Sequence, residues 1–155
     1  MRLSRIYLGI PLVLLSVSCG GSGGTFELAV NPDVVELAIE PGSRAYVNVE
    51  LVSGNFNGLI QVGFVDSSLG QLPSGIRVLS VCPNSGPVDG CDQFVDSIIN
   101  TNAGETAATL ALEVTGIELV AGDEYELQVA GARAEIGGTR AEASFTLKLV
   151  EPTEE

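Results

Sequence analysis

Tyr46-Val47-Asn48-Val49-Glu50-Leu51-Val52 (YVNVELV) decides the fold class. Val47, Val49 and Leu51 fall on one side of an extended chain, and Asn48 and Glu50 on the other. That period of two belongs to a strand with one buried face, and valine's branched Cβ favours the pleated surface. The same alternation recurs on both sides, broken by turn residues. Upstream, Phe26-Leu28-Val30 ends at Asn31-Pro32-Asp33, and Val35-Leu37-Ile39 ends at Glu40-Pro41-Gly42-Ser43. Downstream come Leu59 to Val65, Ile76 to Val81 (with apolar residues on both faces), a short stretch from Phe94 to Ile99, and Thr106 to Val114. Tyr125-Leu127-Val129 and Phe145-Leu147-Leu149 complete the set. In Thr106 to Val114 (TAATLALEV), Ala108, Leu110, Leu112 and Val114 point inward. No segment carries a convincing helical period. Short strands with one polar face predict an all-β chain of antiparallel sheets packed on each other, with about 7–9 strands.

The chain has 155 residues, 45% of them apolar, with 19 Gly, 7 Pro and no Trp. This is enough aliphatic material for one core, and the length fits one domain plus processing segments. Seven basic and 20 acidic side chains give a formal net charge of −13. Such a surface repels nucleic acid and anionic lipid. The five basic residues downstream of Arg5 form no cluster, so nucleic-acid binding is not expected.

Met1 to Cys19 reads MRLSRIYLGIPLVLLSVSC. Two arginines precede an apolar stretch from Ile6 to Val17 and then a small residue, the layout of a secretory signal. The stretch is too short for a transmembrane helix, which needs about 20 apolar residues, and Pro11 interrupts it. Leu15-Ser16-Val17-Ser18-Cys19 resembles the bacterial lipobox, with Ser16 where that motif usually holds leucine. The resemblance implies removal of residues 1–18 and a diacylglycerol on the Cys19 thiol. Residues 19–25, with Gly20-Gly21-Ser22-Gly23-Gly24, then form a tether of flexible composition. The implied location is the cell envelope: the outer membrane where the cell has one, since Gly20 is not the usual aspartate retention signal, and otherwise the outer face of the cell membrane. Removal of Arg2 and Arg5 leaves five basic against twenty acidic side chains, a balance of −15.

Lipidation of Cys19 also resolves the odd cysteine count. Cys82 and Cys91 remain, in VCPNSGPVDGC. The Pro, Gly, Asn and Asp content reads as a loop, and export permits a disulfide between them. Zinc is disfavoured by two thiols with no histidine anywhere. Asp89, Asp92 and Asp96 lack the alternating oxygen-ligand spacing of a calcium loop. No metal or other cofactor is expected.

Several landmarks run in order: F-x-L-x-V-x-P (Phe26 to Pro32), P-G-S before a valine-alternating strand (Pro41 to Val49), and F-x-G before an apolar strand (Phe56 to Val62). L-P-x-G-I (Leu72 to Ile76), A-G-x-x-Y-x-L-x-V-x-G (Ala121 to Gly131) and F-T-L-x-L (Phe145 to Leu149) follow. Together they resemble the immunoglobulin-like modules common in bacterial envelope and secreted proteins. The resemblance implies an immunoglobulin-like antiparallel β-sandwich over residues 26–150, followed by an acidic tail, 151–155. Gly42 and Gly122 fall where turns need unrestricted backbone angles. Tyr125 resembles a tyrosine corner, its hydroxyl bonded to a nearby backbone group. Pro73 marks a strand break.

Without histidine, His-based acid–base and triad chemistry is excluded. Glu50, Glu113, Glu124 and Glu126 alternate outward and read as a solvated face. Gly54-Asn55-Phe56-Asn57-Gly58 and Gly137-Gly138-Thr139 read as hairpin tips rather than phosphate loops. The expected function is therefore non-enzymatic: a lipid-anchored module that binds or supports a protein partner in the envelope. Its expected contact surface is the Cys82–Cys91 loop, with Pro83, Asn84, Val88, Asp89 and Asp92 as candidates. The alternative is a glycan or cell-wall partner, weakened by the shortage of aromatics for sugar stacking. An enzyme or an enzyme inhibitor ranks behind both.

Overall fold

The computed structural model describes residues 24–55, 57–134 and 139–153. The signal-like segment, Cys19, the tether up to residue 23, Phe56, the Gly137-Gly138 tip and Glu154-Glu155 lie outside the described residues. The fold is an immunoglobulin-like β-sandwich of two five-stranded sheets.

One sheet contains β1 (Phe26–Val30), β3 (Arg44–Gly54), β8 (Ala107–Val114), β5 (Ile76–Val81) and β6 (Cys91–Asp92), in that spatial order. The other contains β2 (Val34–Ala38), β10 (Arg140–Val150), β9 (Glu124–Arg133), β4 (Leu59–Phe64) and β7 (Ile98–Asn100). The count of ten exceeds the expected range because β6 and β7 are only two and three residues long. Such short pairings leave no alternation to read. A single helical turn, α1 (Asp66–Leu69), follows β4. Among the described residues no helix is long and apolar enough to cross a membrane.

The core is the inward half of each alternating strand. Val47 and Val49 of β3, Leu112 of β8, Ile60 of β4, Leu127 and Val129 of β9, and Leu147 of β10 have no or almost no exposed surface. Two aliphatic faces meeting in this way supply the main stabilisation of a sandwich. Gly42 (φ 89°) and Gly122 (φ 96°) adopt the left-handed backbone that their turns require.

Three expectations change. Asn31-Pro32-Asp33 is more than a turn: β1 pairs antiparallel with β3, whereas β2 crosses to the other sheet and pairs parallel with β10. The Asn31–Pro32 peptide at this switch is cis. Gly54 and Leu59 do not close a hairpin, because β3 and β4 lie in different sheets. Tyr125 does not bond a backbone group through its hydroxyl; Oη donates to Asp123 Oδ2 at 3.4 Å. Burial and the Asp123 carboxylate together push the Tyr125 phenol above its ordinary pKa.

Candidate functional site

The segment after β5 builds a third layer on one face of the sandwich. β5 follows β8 from Ile76 to Leu79 and then lifts away. A disulfide joins Cys82 to Cys91, with Cα atoms 4.8 Å apart. β6 then returns parallel to Ser80–Val81. Val95 packs beneath it with Leu79 and Ala111, a small core separate from the main one. Asp96 and Thr109 exchange backbone hydrogen bonds of 2.9 and 2.8 Å, giving β8 a partner where β5 has left it. The loop therefore lies over the outer face of a sheet and is not a free loop at a sandwich end.

Beneath this layer runs a chain of ion pairs. Arg44 on β3 and Arg77 on β5 both register with Glu113 on β8, so their outward side chains meet. Arg44 donates from Nε and Nη2 to Glu113 Oε1 at 3.1 and 3.0 Å. Arg77 donates from Nε to Glu113 Oε2 at 2.7 Å and reaches Asp89 from Nη2 at 2.7 Å. Arg44 also donates from Nη1 to Asp92 Oδ2 at 2.5 Å. The Tyr46 hydroxyl donates to that oxygen at 2.7 Å, and the Phe94 amide donates to Asp92 Oδ1 at 2.7 Å.

The electrostatics follow from these contacts. Burial alone would raise the Asp92 carboxyl, but the Phe94 amide, the Tyr46 hydroxyl and Arg44 hold it below the usual range. Glu113 is likewise buried and likewise held low, by Arg77 and Arg44. The bond to Asp92 pushes the Tyr46 phenol up.

The structure departs from the sequence expectations at three places. Glu113 is not on a solvated face: it is 6% exposed, because the added layer covers it. Arg44 and Arg77 do cluster, brought together by strand register rather than by proximity in sequence. Of the loop candidates, Pro83, Asn84, Val88 and Asp89 are exposed. Asp92 is not a contact residue: it is 2% exposed, and at least one donor occupies each of its carboxylate oxygens. The signal for a covered outer face was present in Leu79 and Ala111, apolar residues at outward positions. Tyr46 and Phe94 carry no sequence signal of a site, yet both line it.

Around the network the surface turns apolar. Phe94 is 63%, Val88 56% and Tyr46 42% exposed. The Phe94 and Tyr46 rings stand edge to face, with centroids 6.1 Å apart. They border a hollow of about 270 Å³ that also touches Pro87, Val88 and the Cys82 and Cys91 side chains. A shallow groove of about 530 Å³ opens on the other side of Tyr46, between β3 and β2, floored by Val34, Val35 and Ala45.

No protein-family model matches the chain, and no curated protein matches it. Among solved structures, it is similar to the ASH / PapD-like domain of human CEP192 (PapD-like domain 7). Identity is 8%, the TM-score is 0.40, and the alignment covers 100% of each chain. The fold assignment rests on the sheets themselves. An exposed aromatic pair on a cross-linked, ion-paired base is suited to recognition by contact. At least one donor holds each carboxylate oxygen of Glu113 and Asp92.

Proposed function

We propose that this chain is a lipid-anchored envelope protein whose immunoglobulin-like domain is a non-catalytic binding module. The supporting observation is the Tyr46–Phe94 surface: large apolar side chains left exposed on a layer held by a disulfide and an ion-pair network. A surface fixed before binding loses little conformational entropy on contact. Aromatic anchors beside a hollow are typical of the centre of an interface. The lipid on Cys19 would hold this surface close to a membrane, because several buried acyl chains make attachment lasting.

The test has two parts. Mass spectrometry of the mature protein should find a diacylglycerol-modified Cys19 at the N-terminus; an unmodified Cys19 in membrane-free protein would remove the anchor from the proposal. Co-purification from native membranes should recover a specific partner with the wild type and lose it with Phe94→Arg. Equal recovery by both would rule this surface out. A glycan partner is the second reading, favoured by the exposed Tyr46–Phe94 rings, on which a sugar could stack. Glycan-array binding that disappears in Phe94→Ser would select it.

A further inference from the structure

The backbone beside Tyr46 carries more information than its ring. Along β3, Leu51 N–H donates to Thr106 O and Ser43 O accepts from Val114 N–H, so odd-numbered residues bond toward β8. Even-numbered residues face the other way, and Asn48 O accepts from Asn31 N–H on that side. The β1–β3 register stops at Val30 and Val49, and the chain then leaves for the other sheet. From Val47 back to Arg44, no described residue pairs with this side of β3. The N–H and C=O of Tyr46 therefore face an open edge.

The facing wall has the same property. In β2, Asp33 O and Ile39 N–H bond toward β10, so Val34 and Glu36 turn their backbone groups away from it. The groove between β2 and β3 lies between these two open edges. An unpaired edge is a template for another extended chain. Four residues of β3, about 13 Å at the rise of a strand, would accept a short segment.

Charge selects the occupant. Glu36 lines the groove, Asp33 lies between its lining residues Pro32 and Val34, and Asn31, next to Pro32, donates to the Glu50 carboxylate. Arg44, the cation at the rim, is already paired with Asp92 and Glu113. A second copy would bring the same carboxylates against each other on a chain of net charge −13. The chain's own tail, Glu151-Pro152-Thr153-Glu154-Glu155, is acidic as well.

We propose that the open edge of β3 at Arg44–Val47 takes up an extended, basic segment of a protein partner as an added strand. Apolar side chains of that segment would enter the groove over Val34. This inference rests on the binding-module reading and specifies how the partner is held.

The test uses the full chain in detergent with three capped heptapeptides: alternating lysine and valine (KVKVKVK), alternating glutamate and valine (EVEVEVE), and KVKVKVK N-methylated throughout. The readout is amide hydrogen exchange at Tyr46. KVKVKVK should slow that exchange at least tenfold, and the other two should leave it unchanged. Val34→Lys, a surface change, should lose the protection by KVKVKVK at least tenfold. No protection at millimolar KVKVKVK, or equal protection by EVEVEVE, would overturn strand addition by a basic segment. Protection without peptide, in a dimer, would overturn it in favour of self-pairing. Each of these results is separable from the Phe94→Arg experiment, which reports whether a partner is bound at all.

Discussion

Replacing both Cys82 and Cys91 by serine separates what the disulfide holds from what packing holds. The bond closes a loop of sequence separation 9. In the chain-entropy account, opening such a loop costs about 2.5–3 kcal/mol, mainly by freeing the unfolded chain. For a domain of this size each kcal/mol moves Tm by about 3–4 °C, so a fall of about 10 °C is expected. The native layer has other attachments: Val95 packs with Leu79 and Ala111, Asp96 pairs with Thr109, and Asp92 is held by Arg44. The double variant should therefore melt earlier and yet keep its native site. Thermal melting followed by circular dichroism measures the first effect. Titration of the Tyr46 ring by NMR measures the second, because the bond to Asp92 raises that phenol. A Tm shift below about 3 °C would refute the entropic account. An unshifted Tyr46 phenol in the double variant would show that the disulfide alone seats the layer.

Three further outcomes are expected. Asp92→Asn should cost about 2–3 kcal/mol at neutral pH, at the low end for a broken buried pair because Arg44 remains partly in solvent. The folded-state pKa of Asp92 is depressed, so its contribution is complete above the unfolded value near 4 and is lost as pH falls through the folded value. The Tm gap between wild type and Asp92→Asn should accordingly narrow below about pH 4, and a gap that stays constant down to pH 2 would contradict this. Leu127→Ala, at a fully buried position, should lose about 2–5 kcal/mol in urea unfolding, and a loss under 1 kcal/mol would put Leu127 outside the core. Phe94→Ser should change stability by no more than about 0.5 kcal/mol, since its ring is largely exposed; a large loss would make Phe94 a packing residue and not a contact residue.

The strands were legible because one face of each is buried, so apolar residues recur with period two. Val47, Val49, Leu112 and Leu127 needed nothing else to be placed. The sheet assignment was not legible: Pro32 and the Gly54–Gly58 stretch look like ordinary turns, and nothing local tells a hairpin from a change of sheet. The site was legible only in fragments. Alternation correctly turned Glu113 outward, but outward means solvated only if nothing lies on top, and the covering segment is set by distant pairings. The Pro, Gly, Asn and Asp content between Cys82 and Cys91 does mark a loop. What drew Asp92 inward was Val95 three residues on and Arg44 forty-eight residues back, partners that only register brings together. The open edge at Tyr46 has no side-chain signal at all, because it is a property of where β1 stops.

The proposed contact of the Tyr46–Phe94 face with a protein partner can be captured in the cell. Its most direct test is site-specific photo-cross-linking in native cells, with the photoreactive residue at Phe94 or, as a control, at Glu126 on the opposite sheet. The expected result is one discrete protein adduct from position 94 and none from position 126. No adduct at position 94, or the same adducts from both positions, would contradict the account.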